Sequence, residues 1–259
     1  MNDDYQFFVK QVHTLTGVNL RLYKQPQMER RLAALGERSG YANLRAYAEA
    51  LCSNPWLVEE CLDRMTINVS SFYRNYARWE QLKTRVLPKL PNTSALKVWS
   101  AACSSGEEPY TLAMVLDEMG IPLKEGKLFA TDLDASMTER AEQAIYDERA
   151  LKEMPASVRR VYMDRRGDGS YKVIPSIRSR VLFKRLNLLS DPYPRECDLI
   201  VCRNVLIYFT EEAKQDIYKR FARSLAVGGV LFVGSTEQMF RPEQHGFQSI
   251  EPFFYQKVV

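Results

Sequence analysis

Apolar positions in the first seventy residues recur at helical spacing. Tyr5, Phe8, Val9, Val12 and Leu15 share one face of a helix that Gly17 stops. A second helix is predicted from Pro26 to Ser39, with Met28, Leu32 and Leu35 inward. Asn43 caps a third, striped by Leu44, Tyr47, Ala48 and Leu51. Asn54-Pro55 opens a fourth, with Val58, Cys61, Leu62 and Met65 at i, i+3, i+4 and i+7. No strand pattern interrupts the run, so residues 1–70 are expected to form a small all-helical domain.

The pattern then changes. Thr66 to Arg74 has no clean period and precedes a helix near Tyr76 to Leu87, and Pro88 and Pro91 mark a break. Residues 71–95 therefore read as a linker and helix. From Leu96 short apolar runs alternate with amphipathic ones: strand, helix (109–119), strand (127–131), helix (135–146). A basic insertion at about 147–180 carries the turn signal Arg166-Gly167-Asp168-Gly169-Ser170 and the alternating Tyr171–Ile174, a small β-hairpin pattern. Strands resume at 181–184 and 198–202, followed by a helix (211–226), a strand (230–234) and an antiparallel hairpin within 247–258. Such alternation implies an α/β domain over 96–259, a mostly parallel sheet covered by helices.

Composition narrows the class. Hydrophobic residues at 46% and charged residues at 26% describe an ordinary soluble chain of 259 residues. No apolar run approaches a membrane span, and the start, MNDDYQFF, is acidic and unlike a signal peptide. Cys52, Cys61, Cys103, Cys197 and Cys202 are odd in number and scattered through apolar runs, which suits buried thiols in a reducing cytoplasm. His13 and His245 are the two histidines, in unrelated contexts, so neither a zinc site nor a histidine triad is expected. The net charge of +4 hides two basic segments. Arg21, Lys24, Arg30, Arg31, Arg38 and Arg45 face only Glu29 and Glu37 across 21–45. Eleven Lys or Arg face Glu153, Asp164 and Asp168 across 149–185. Such patches attract acidic partners, although many merely solvate a helix face.

The chemistry concentrates at Leu96–Tyr110, LKVWSAACSSGEEPY. An apolar strand runs into the small residues Ala101 to Gly106, which let the backbone approach a ligand. Pro109 suits the first position of the following helix. Glu107 stands where a dinucleotide site would offer open N–H groups to pyrophosphate. A carboxylate there repels phosphate and invites a cation, so the turn reads as a nucleoside site for a cationic cofactor. S-adenosylmethionine, a sulfonium, fits. Asp132 ends the next strand, placed to hold both hydroxyls of a ribose.

Three further points follow later strands. Asn187-Leu188-Leu189 offers an amide for an adenine edge and leucine for its face, Cys202-Arg203-Asn204-Val205 ends the fourth strand, and Tyr208 follows close by. Loop capping is the commoner use of asparagines such as Asn187 and Asn204, and core packing that of a tyrosine such as Tyr208.

Five blocks carry a resemblance over nearly the whole chain: Asn68–Arg74 (NVSSFYR), Trp99–Tyr110 (WSAACSSGEEPY), Ala130-Thr131-Asp132, Asn187-Leu188-Leu189 and Cys202–Phe209 (CRNVLIYF). In this order they resemble the CheR family of chemotaxis receptor methyltransferases. The resemblance implies a Rossmann-like class I S-adenosylmethionine-dependent methyltransferase with a small all-helical N-terminal domain and a small β-subdomain insertion. It implies methyl transfer to glutamate side chains on chemoreceptor cytoplasmic helices, with S-adenosylhomocysteine as the other product. Cofactor positions of the family fall on Asn68, Ser70, Arg74, Glu107, Asp132, Asn187, Leu188, Asn204 and Val205. Ser70 replaces the threonine of many relatives and keeps the hydroxyl. Arg74 and Tyr208 match the positions nearest the methyl group and the substrate carboxylate.

Elementary chemistry agrees with that reading. A glutamate of pKa about 4.3 is already ionised at neutral pH, so the reaction requires no strong general base. Arg74 could orient the carboxylate through paired N–H donors. The resemblance also makes Arg30, Arg31 and Arg38 a docking surface for acidic receptor helices. In some members of the family the β-subdomain adds a receptor-tail peptide as an edge strand. A monomeric cytoplasmic enzyme is expected, without membrane insertion or a nucleic-acid partner. The Rossmann-like fold alone would also serve an RNA or small-molecule methyltransferase, or a non-catalytic binding module. The chain lacks the N-P-P-[YF] tetrapeptide expected for base methylation, and its intact site positions argue against a bare scaffold.

Overall fold

Helical periodicity in the first part of the chain becomes α1 (Asp3–Thr16), α2 (Gln25–Arg38), α3 (Leu44–Ser53) and α4 (Pro55–Met65) in a computed structural model that describes residues 3–65, 69–91 and 94–258. The caps are those the asparagines promise. Asn43 Oδ1 accepts from the Ala46 N–H at 2.9 Å, and Asn54 Oδ1 accepts from the Leu57 N–H at 3.3 Å. Leu15 is largely exposed, so the α1 stripe ends at Val12. On α4 the buried face is Leu57, Cys61 and Met65, rotated from the expected stripe, and Val58 and Leu62 are half-buried.

The chain packs as two compact units. The first comprises Met1–Ile67 together with Leu206–Ile217, and the second Asn68–Val205 with Tyr218–Val259. In the first unit the Phe8 ring lies 5.6 Å from Tyr47, which stacks on Tyr41 at 5.2 Å. The returning segment joins this unit through backbone. Tyr23 bridges Phe209 in antiparallel fashion, the Lys24 N–H donates to the Tyr208 carbonyl, and the Thr210 N–H donates to the Leu22 carbonyl, both at 2.9 Å. The rings of Tyr23 and buried Phe209 meet edge to face at 4.9 Å.

The second unit opens with α5 (Tyr76–Gln81), which widens into a π turn over Leu82–Val86 and closes in a 3-10 turn at Leu87–Lys89. Then come β1 (Val98–Ser100), α6 (Glu107–Glu118), β2 (Leu128–Asp132), α7 (Ala135–Gln143) and β3 (Ile145–Tyr146). The basic insertion supplies α8 (Ala156–Tyr162), β4 (Met163–Arg165), β5 (Tyr171–Val173) and α9 (Pro175–Arg178). The chain continues through β6 (Val181–Arg185), β7 (Cys197–Cys202), α10 (Glu211–Ser224, its residues up to Ile217 counted with the first unit), β8 (Leu225–Val233), β9 (Phe247–Glu251) and β10 (Phe254–Lys257).

The large sheet has the order β6-β2-β1-β7-β8-β10-β9. Its first five strands are parallel, and β10 pairs antiparallel with both β8 and β9. This is the Rossmann-like architecture, with the strand order reversing about β1. Trp99 anchors the core beneath it, fully buried, edge to face with Tyr193 and Phe221, its indole N–H donating to Thr131 Oγ1 at 2.9 Å. The expected hairpin in the insertion is β4–β5, and β3 extends it to a three-stranded sheet in the order β3-β5-β4. Cys61, Cys103, Cys197 and Cys202 are buried, whereas Cys52 is exposed, contrary to the expectation from its apolar surroundings. Among the described residues no helix is long and apolar enough to cross a membrane, and no cluster of ligating side chains could hold a metal.

Candidate active site

Parallel strands bring the carboxyl ends of β1, β2, β6 and β7 to one edge of the sheet, where doubly wound folds bind ligands. The turn after β1 adopts left-handed backbone at Ser104 (φ 46°) and at Gly106 (φ 96°). A Cβ on Gly106 would fall 2.8 Å from Ala141 Cβ and 2.9 Å from the Tyr146 hydroxyl. Glycine is therefore required twice, for the dihedral and for the approach of α7. The helix starts at Glu107, so Pro109 is its third residue and not its first. Its missing N–H still falls in the turn where helical partners are absent.

Two carboxylates flank this turn. Asp132, half-buried at the end of β2, accepts from the Ser104 N–H at 2.7 Å and from the Asp134 N–H at 3.1 Å. Burial pushes its carboxyl above the usual range, and those backbone donors oppose the shift. Glu107 is 5% exposed. Ser105 Oγ donates to both of its oxygens, at 2.8 and 3.0 Å, and Ser70 supplies a further hydrogen bond. Burial raises its pKa as well. The acceptor set suits a cationic, hydroxyl-bearing nucleoside and repels phosphate, so the residues present fit S-adenosylmethionine.

Asn187, Leu188, Asn204 and Val205 follow strands whose carboxyl ends form the same edge. Asn187 follows β6, and its Oδ1 accepts from the Leu189 N–H at 2.9 Å, which is the capping use of an asparagine. The side-chain amide N–H groups remain for another acceptor. Leu188 is buried. Asn204, with φ 61°, and half-buried Val205 follow β7. Arg74 is half-buried, with Nη1 donating to the Val69 carbonyl at 2.8 Å. Asn68 lies outside the described residues.

Three charged residues here were not singled out from sequence. Glu108 is buried, its Oε1 accepting from Ser100 Oγ at 2.9 Å. Burial pushes its carboxyl up to about 7, against the pull of Arg203 and Ser100. Arg203, 6% exposed, places Nη1 3.9 Å from Glu108 Oε2. Glu237 Oε2 accepts from the backbone N–H groups of Asn204 (2.6 Å) and Gly234 (2.8 Å), so a buried carboxylate fixes the end of β7. The available signal was an arginine directly ending an apolar strand, Ile200-Val201-Cys202-Arg203, a place where burial demands a partner.

The remaining expected residues belong to the helical unit. Arg30 and Arg38 are exposed on α2. Arg31 is half-buried, and its Nε donates at 2.9 Å to the carbonyl of Arg64 in the last turn of α4, where a cation suits the helix dipole. Tyr208 is half-buried in the returning segment, and its side chain interacts electrostatically with Arg31.

Comparison with known proteins identifies the family. Residues 68–253 match the model of the CheR methyltransferase SAM-binding domain, and residues 3–66 match that of the CheR methyltransferase all-alpha domain. The chain belongs to the CheR methyltransferase family. It is similar to a chemotaxis protein methyltransferase of Listeria monocytogenes, 41% identical over 259 residues and covering 99% of this chain and 98% of the relative. Chemotaxis protein methyltransferase 1 of Pseudomonas aeruginosa is 38% identical, covering 94% of this chain and 93% of its own. A chemotaxis protein methyltransferase of Borreliella burgdorferi is 32% identical, covering 91% and 88%. This CheR chain is thus an S-adenosylmethionine-dependent methyltransferase, the cofactor chemistry that its two flanking carboxylates suit.

Proposed function

We propose that the chain transfers a methyl group to the side-chain carboxylate of glutamates on the cytoplasmic helices of membrane chemoreceptors, forming methyl esters in chemotactic adaptation. The observation that carries this reading is the pair of carboxylates, Glu107 and Asp132, flanking the turn after β1 beside the arginine-bearing Val69–Asn75 segment. The names of the full-length relatives support the chemotactic setting.

S-adenosylmethionine, when bound, supplies an electrophilic methyl on a sulfonium. Asp132 would hold the ribose hydroxyls, Asn187 and Leu188 the adenine, and Asn68, Ser70, Glu107, Asn204 and Val205 the rest of the cofactor. A glutamate oxygen forms the new bond to carbon as the carbon–sulfur bond breaks, leaving the neutral thioether S-adenosylhomocysteine. No proton moves, so the chain needs to orient the carboxylate and exclude water. Arg74 orients it through paired donors, held short of a grip that would stabilise the ground state. Tyr208 serves on the substrate side. Arg30 and Arg38 on α2 attract acidic receptor helices, with Arg31 contributing from its anchored position. Where a receptor carries a tail peptide, the three-stranded sheet of the insertion would receive it, as in some members of the family. The enzyme acts as a cytoplasmic monomer.

The test uses methyl-labelled S-adenosylmethionine with receptor cytoplasmic fragments, total RNA or buffer. Label should enter the receptor fragment and leave it as methanol in mild base. Label entering RNA, or a base-stable product on the receptor, would overturn the assignment.

A further inference from the structure

The arginine that follows β7 reaches back to the backbone of the segment that carries Arg74. Arg203 Nη2 donates to the Arg74 carbonyl at 2.9 Å and to Asn75 Oδ1 at 3.2 Å. Trp79 Nε1 donates to the same carbonyl at 3.1 Å. The Arg203 guanidinium carbon lies 5.3 Å from the Trp79 ring centroid and 4.8 Å from that of Phe232, so the group packs against two aromatic rings that meet each other edge to face. Nη1 faces Glu108, which Ser100 at the end of β1 holds in turn. Ser100, Glu108, Arg203 and the Arg74 carbonyl thus form one chain of polar contacts from the sheet to the loop.

The loop needs such a hold. Tyr73 (φ 52°) and Asn75 (φ 60°) both occupy left-handed backbone, on either side of Arg74. The Tyr73 N–H donates to Thr111 Oγ1 at 3.1 Å, and the Asn75 N–H to Glu153 Oε2 at 2.8 Å. These bonds pin the two neighbours, while among the described residues Arg203 and Trp79 hold Arg74's own carbonyl. An ionised guanidinium at this depth, with its Nε unpartnered, is a costly way to brace a loop unless the placement matters.

We propose that Arg203 is a positioning residue for methyl transfer, fixing the backbone of Arg74 so that its guanidinium meets the substrate carboxylate, with Glu108 as the counter-ion that keeps Arg203 in place. The inference rests on the role given to Arg74 above. Arg203 acts through geometry. A displacement of about 1 Å in a reacting group costs on the order of 100-fold in rate. Lysine at this position would keep a charge but lose the planar fork that bonds the loop with one nitrogen while facing Glu108 with the other.

The experiment is a double-mutant cycle on the full chain, with turnover measured per folded molecule and unfolding followed in parallel. Arg203→Lys should lower kcat by roughly 10–100-fold, while the receptor KM and the S-adenosylhomocysteine Kd change far less. In an Arg74→Ala background the same substitution should have almost no further effect. Equal losses in both backgrounds, or unchanged kcat in Arg203→Lys alone, would overturn the proposal. Should Arg203→Lys not fold, Asn75→Gly decides: it keeps the left-handed backbone, removes one acceptor of Arg203 and should lower kcat several-fold, so unchanged kcat overturns the proposal there too. Arg74→Ala by itself separates the two readings. Full turnover in that variant removes Arg74 from the mechanism whatever Arg203 does, whereas a large loss with additive effects sinks Arg203 alone.

Discussion

The two units of this chain treat charge in opposite ways. In the helical unit the candidate docking cations Arg30 and Arg38 stand in solvent on α2. In the α/β unit Glu107, Glu108, Arg203 and Glu237 are all buried at one edge of a sheet. Exposed charges act at range, are screened by salt and contribute little to stability. Buried ones are nearly unscreened, shift their own pKa values and fix neighbouring backbone. On the proposed reading, exposed charge in one unit attracts a partner and buried charge in the other holds atoms still, and the contrast can be tested from both sides.

The largest effect should come from stripping a buried partner. At pH 8, where Glu108 is ionised, Glu108→Ala leaves Arg203 buried without its counter-ion and should cost about 3–5 kcal/mol in urea unfolding. A loss below about 1 kcal/mol would put this pair in the same class as the surface charges. Asp132→Ala comes next. It should weaken S-adenosylhomocysteine binding by about 1.5–3 kcal/mol, the worth of a charged hydrogen-bond partner, and calorimetry giving unchanged affinity would remove Asp132 from the nucleoside site.

The third effect is a pH slope. Glu108 keeps its proton in the folded protein up to about 7, whereas its ordinary value is 4.5. Between those values unfolding releases a proton, so this group's stabilisation is complete below the lower value and is lost as pH rises through the upper one. The slope is at most about 1.4 kcal/mol per pH unit, and Glu108→Gln should show a shallower one. Identical slopes in the two proteins would mean that Glu108 titrates normally.

The smallest effect belongs to the exposed face. Arg30→Glu with Arg38→Glu should raise the receptor KM by less than about 1 kcal/mol per charge, without touching cofactor affinity. The penalty should fade as salt shortens the Debye length towards and below about 10 Å. Unchanged receptor kinetics at low salt would make α2 a solvated face and pass docking to the basic insertion.

What could be read in the sequence was whatever acts locally. Asn43 and Asn54 cap helices three residues or fewer ahead, and β2 and β7 carry unbroken apolar runs at 128–130 and 199–202. The turn at Gly106 and the acid at Asp132 stood out because strand, turn and acid follow a fixed order. The buried pair of Glu108 and Arg203 was hidden because one lies in the first turn of α6 and the other just after β7, and they meet only when β1 and β7 pair. Ile145–Tyr146 escaped notice as a strand because two residues carry no period. Arg31 looked equivalent to Arg30, yet helical rotation by one residue turns it toward the Arg64 carbonyl. The return of Leu206–Ile217 left no trace in side-chain pattern, since much of its attachment runs through backbone groups of Leu22, Tyr23 and Lys24.

That return governs what can be exchanged between relatives. The family's two recognised parts divide at residues 66 and 68, which invites chimeras joined there. Such a graft would bring a foreign helical part to a resident Leu206–Ile217, or remove the partners of Phe209 and of the Tyr208 carbonyl altogether. Phe209, now 3% exposed, would need a matching Tyr23 in the donor. The helical unit can therefore be exchanged only as two inserts and not one: the first 67 residues and Leu206–Ile217 must travel together.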